Sequence, residues 1–165
     1  MFIPFNDLSS QARIWIYQAD RQISADDKRV ASEELTSFCT RWTAHSKALK
    51  ASFTIAYDRF VVLAVDENAH QASGCSIDSS VHFITQLGNQ LNINFLDRSQ
   101  VAFLTDEKIV TYSLPNIKEN ITSGKVQADD LIFNNNILVK NELNTSWLVP
   151  VKQSWAKKYL KTTHV

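Results

Sequence analysis

"ASFTIAYDRFVVLAV" (Ala51–Val65) decides the fold. Its first half alternates, with Phe53, Ile55 and Tyr57 on one side, while "FVVLAV" (60–65) is apolar without a break. Alternation marks a strand with one covered face, and an unbroken apolar run marks a strand covered on both. Asp58-Arg59 supplies a short turn between them. The stretch therefore reads as an antiparallel hairpin whose second strand is central.

Upstream, "ARIWIYQA" (12–19) is β-branched and aromatic, a further strand with Ile14 and Ile16 on one face and Arg13, Trp15 and Tyr17 on the other. Ser24 stands as a helix N-cap with Asp27 three residues on. Ala31, Leu35, Phe38 and Trp42 then form one apolar stripe. Downstream, a helix is expected over 79–91 with Val81, Ile84, Leu87 and Leu91 inward, capped by Asp78 or Ser76.

"QVAFLT" and "KIVTYSL" flank Asp106-Glu107 as an added hairpin. Pro115 opens a short helix that Gly124 closes. "DLIFNNNILV" (130–139) is strand-like around three asparagines, and Pro150 is expected to begin a C-terminal helix carrying Trp155, Tyr159 and Leu160. The first part reads β-α-β-β-α-β, the split β-α-β order of ferredoxin-like domains. The expected fold class is α+β, with an antiparallel or mixed sheet and helices mainly on one face.

Residues 1–165 are expected to form one domain, with 44% hydrophobic and 21% charged residues as in ordinary globular proteins. Seventeen basic residues balance seventeen acidic ones, which disfavours nucleic acid and anionic membranes as partners. "MFIPFNDLSS" does not read as a signal peptide, so none is expected, and no apolar run approaches the ~20 residues of a membrane span. Cys39 and Cys75 read as reduced thiols of a cytoplasmic protein.

The candidate site is "SGCSIDSSVHF" (73–83), a polar stretch just ahead of the predicted helix. A turn at a helix start points unpaired N–H groups outward, so Ser73, Gly74, Ser76, Ser79 and Ser80 would cradle an anion or small polar ligand. Cys75, His82 and Asp78 are the parts of a thiol nucleophile with a base and an orienter, His45 being a second candidate base. The group would also hold a metal ion if His45 or His70 joined it, although no metal or cofactor is expected. The structural reading outranks both: caps and first turns are rich in serine, and a lone cysteine is usually a small hydrophobe. Arg13, Trp15 and Tyr17 would stack bases only on a bare sheet face, and core packing is the better account. Trp147 and Trp155 near the end of the chain either pin the terminus or dock a partner.

Four stretches, "WTAH" (42–45), "LKASF" (49–53), "ASGCSIDSSVHFI" (72–84) and "WLVPVKQSW" (147–155), resemble a family of small uncharacterised bacterial proteins. Its members often carry the automatic label "ABC transporter ATPase". The resemblance covers nearly all the chain and implies a common fold. The chain has no G-x-x-x-x-G-K-[ST] loop and no L-S-G-G-Q signature, so no ATPase residue carries over. Nor does it contain C-x-x-C, H-E-x-x-H or G-x-S-x-G, and the arginine of a cysteine-phosphatase loop is replaced by Val81. The function expected is a non-catalytic cytoplasmic domain that binds a small ligand, an anion or a protein at the Ser73–Ser80 turn. The alternative is a thiol-dependent hydrolase or transferase with Cys75 as nucleophile.

Overall fold

The computed structural model describes residues 1–161. The described residues divide into two compact units, Met1–Asp97 with Leu138–Asn141, and Arg98–Ile137 with 142–161.

In the first unit β1 (Arg13–Gln18), β4 (Lys50–Ala56) and β5 (Phe60–Asp66) form one sheet in the order β1-β5-β4. Both pairings are antiparallel, so β1 and β4 run the same way with β5 between them. The hairpin reverses at Tyr57 and Asp58, which take positive φ angles of 54° and 50°. Every residue from Phe60 to Val65 is buried, as the unbroken apolar run requires. Tyr17, Ala51, Val61, Leu63 and Val65 turn toward the helices, joined by the partly buried Trp15, Phe53 and Ile55. Tyr17 is buried and Trp15 packs edge-on against Trp42, which makes this aromatic face core and not a stacking platform.

α1 (Ala25–Arg41) begins as its sequence predicts, with the Ser24 hydroxyl accepting from the Asp27 N–H at 3.1 Å. It packs with α2 (Gly74–Leu91) through Phe38 and Phe83, whose rings stack at 4.3 Å. Burying an aromatic ring of this kind contributes about 2–3 kcal/mol. A small hairpin, β2 (Thr43–Ala44) and β3 (Lys47–Ala48), follows α1.

The second unit carries a sheet ordered β7-β6-β8-β9, built from β6 (Gln100–Thr105), β7 (Lys108–Ser113), β8 (Leu131–Phe133) and β9 (Leu148–Pro150). Asp106 and Glu107 form a two-residue turn with both φ angles positive, the geometry whose twist matches a hairpin. A 3₁₀ turn at Leu114–Asn116 holds Pro115 and leads into α3 (Ile117–Thr122), and Gly124 leaves it at φ 79°. Phe103, Ile117, Ile121, Ile132 and Val151 make the core of this unit.

The class is therefore α+β, with antiparallel pairing between all named strands. Four expectations need correction. The strand after α2 pairs with β7 and β8 in the second sheet, so the six-element order does not close on one sheet. The edge of β1 is taken instead by the segment after the three asparagines, where the Ile14 N–H donates to the Leu138 carbonyl and Arg13 bridges Val139. The helix predicted from residue 79 starts at Gly74, with Ser73 as its cap and Val81 exposed. Pro150 ends a strand and opens no continuous helix. Beyond it lie two 3₁₀ turns, Val151–Gln153 and Trp155–Tyr159, separated by an extended Ser154 whose hydroxyl bonds Val151 O and Ala156 N–H. No described helix is long and apolar enough to cross a membrane.

Candidate functional site

The polar stretch ahead of Phe83 is the first two turns of α2, and its hydroxyls are spent on the helix itself. Ser73 Oγ accepts from the Ser76 N–H at 3.2 Å, and Ser76 Oγ accepts from the Ser73 N–H at 2.7 Å. This reciprocal capping box satisfies donors that a helix start otherwise leaves open. Ser79 Oγ donates to Ser76 O at 2.8 Å and Ser80 Oγ donates to Ile77 O at 2.6 Å. Ser76 O also accepts the Trp42 indole N–H at 2.9 Å. Ser76 and Ser80 are buried despite their polarity, because these bonds replace water.

Gly74 is exposed, lies in the helix with no positive φ, and a Cβ there would meet open space. Cys75, Asp78 and His82 are exposed too. Cys75 and His82 stand seven residues apart on one straight helix, about 10 Å along its axis. Among the described residues no hydrogen bond or ion pair joins Cys75, Asp78 and His82, and no group of three His, Cys, Asp or Glu side chains is disposed to hold a metal ion. His45 sits at the tip of the β2–β3 hairpin with φ 50°. The other thiol, Cys39, is wholly buried in the α1 core, and burial pushes its pKa up to about 12.

The opposite end of α2 carries an open cleft of about 420 Å³. Its polar lining is Asp20, Thr85, Asn89, Asn92 and Asn94; its apolar lining includes Ile84, Phe95 and Leu96. The volume falls within the roughly 300–1,000 Å³ usual for small-molecule sites.

Local chemistry builds this cleft. Asn92 takes the left-handed conformation (φ 54°, ψ 48°) that ends the helix, and its N–H and that of Ile93 both reach Gly88 O. The chain then turns back along the helix, so close to Gly88 that a Cβ there would collide with the Ile93 carbonyl. Asp20 fixes the returning chain: its N–H donates to Asn94 O at 3.1 Å, and its Oδ1 accepts the Asn94 N–H at 3.0 Å. Arg21 bonds the last helical carbonyl, Leu91 O, at 2.7 Å, and Asp27 at 2.9 Å, which holds the Asp27 carboxyl below the usual carboxylate range.

None of these residues was among the site expectations. The trace they leave in the sequence is "GNQLNINF" (88–95), where asparagines interleave with Leu91, Ile93 and Phe95. Comparison with protein-family models, curated proteins and solved structures finds no match to this chain.

Proposed function

We propose that this chain is a non-catalytic binding domain for small polar molecules, with its site in the cleft at the C-terminal end of α2. The observation that carries this reading is the cleft's lining, where Asp20, Asn89 and Asn92 stand beside Ile84, Phe95 and Leu96, while the Thr85 hydroxyl donates to Val81 O and Asn94 Oδ1 accepts the Leu96 N–H. The lining is more polar than apolar, so hydrogen bonds to a polar ligand would carry the recognition. The start of α2 supports the same reading from the other side. Its serine hydroxyls already serve the helix, and Cys75 and His82 stand about 10 Å apart along the helix axis, too far for a direct proton transfer.

A saturation-transfer NMR screen of small polar molecules against the wild type and Thr85→Trp tests it. Thr85 lies exposed on the cleft wall, so an indole there fills the space without disturbing the core. Molecules that bind the wild type and are lost in the variant would support the reading. A screen without binders, or binders indifferent to the indole, would overturn it.

A further inference from the structure

We infer that the cleft at the end of α2 selects a small organic cation, one bearing an ammonium or guanidinium group. The inference rests on the reading of this cleft as a ligand site and names the ligand's charge. Among the described residues Asp20 is the one charged side chain in the lining; Thr85, Asn89, Asn92 and Asn94 are neutral. Asp20 Oδ1 is engaged by the Asn94 N–H, and its second oxygen makes no hydrogen bond among the described residues. The cleft also lies at the C-terminal end of an 18-residue helix, where aligned peptide dipoles leave about half a negative charge.

Two cations approach this end from outside the lining. Arg21 donates to Leu91 O at 2.7 Å and Asn92 O at 3.4 Å, and Arg59 donates to Ala19 O at 2.8 Å and Asp20 O at 3.4 Å. Arg21 alone bonds carbonyls at the helix end, which shows that this end accepts a cation, while Arg59 bonds the segment after β1 and lies within electrostatic reach of the Asp20 carboxylate. Neither lines the cleft: Asn94 Oδ1 accepts the Leu96 N–H at 2.9 Å, while the second Asp20 oxygen and the Asn89 and Asn92 carboxamide oxygens make no hydrogen bond among the described residues and remain for an incoming N–H donor.

The test is a ¹H–¹⁵N NMR titration with agmatine, which carries both cationic groups, and with nicotinamide as a neutral amide of similar size. Asp20→Asn removes the charge while its carbonyl oxygen still accepts the Asn94 N–H. Saturable shifts at Asn89, Asn92 and Asn94 with agmatine are expected, weakened about tenfold in Asp20→Asn and reduced by added salt. Agmatine binding that neither the variant nor salt weakens would overturn the inference. Nicotinamide binding in the cleft without agmatine would overturn it too, while leaving the ligand-site reading standing. No shift in the cleft with either compound would overturn both.

Discussion

The indole N–H of Trp42 donates to the carbonyl of Ser76 at 2.9 Å, across 34 residues of sequence. Trp42 ends α1 and Ser76 lies in the first turn of α2, so one buried bond ties the exit of one helix to the entry of the next. The same indole packs against Phe38 at 4.9 Å and Trp15 at 5.9 Å. Trp42→Phe keeps most of the ring and leaves the bond unmade, which is expected to cost about 1–3 kcal/mol. Trp42→Ala adds a cavity and is expected to cost about 3–5 kcal/mol. Urea unfolding of both variants measures the difference; a Trp42→Phe variant as stable as the wild type would mean that the bond contributes nothing beyond packing.

Ser73 and Gly74 stand side by side and should respond oppositely. Ser73→Ala breaks the capping box and is expected to destabilise by about 1 kcal/mol. Gly74→Ala places a methyl in open space within the helix and is expected to be neutral or to stabilise by less than about 1 kcal/mol. Thermal melts of the two variants check the pair. A large loss in Gly74→Ala would point to a backbone demand that the helix does not show.

The two thiols separate by burial. Iodoacetamide should label exposed Cys75 in the folded protein and reach Cys39 only on unfolding, as mass spectrometry of tryptic peptides would show. Cys39 also makes stability depend on alkaline pH. Its thiol stays protonated in the folded chain up to about 12, whereas in the unfolded chain it ionises near about 8.5. Between those values the unfolded state holds one proton fewer, so stability falls as pH rises. Cys39→Ala should remove that one-proton slope from unfolding curves taken between about pH 8.5 and 11, and an unchanged slope would contradict the burial argument.

Gly88 is the close approach that shapes the cleft. A Cβ there would collide with the Ile93 carbonyl, a backbone atom that cannot swing aside. Gly88→Ala is therefore expected to cost about 1–3 kcal/mol and to shift residues 92–96. Denaturant unfolding and the amide spectrum of those residues read the two effects. An alanine accommodated without loss would show that the turn after α2 is loose.

Much of this frame was legible in sequence because pattern and burial coincide. "FVVLAV" is central, Ser24 caps α1, and Asp106-Glu107 turns a hairpin. The start of α2 is hidden by its composition. Glycine, serine and aspartate read as a turn, yet Ser76 and Ser80 continue the inward stripe of Ile84, Leu87 and Leu91 by bonding carbonyls three residues back. Val81 reads as inward from its residue type, yet it lies on the flank of the stripe set by Ser76, Ser80, Ile84 and Leu87 and is exposed. The tail misleads because Pro150 suits a helix start, while Ser154 and its local bonds divide residues 151–159 into two short turns. The cleft has no local signature at all, since Asp20 and Asn94 meet across 74 residues.

Binding is proposed at the C-terminal end of α2, with the serine-rich start serving as the helix cap. Mapping amide shifts in uniformly ¹⁵N-labelled protein, as each binder from the screen is added, tests it most directly. Shifts are expected to gather at Asp20 and at residues 84–96, with Ser73–Ser80 unmoved. Shifts centred on Gly74, Cys75 and Ser76 would contradict it and return the site to the start of the helix.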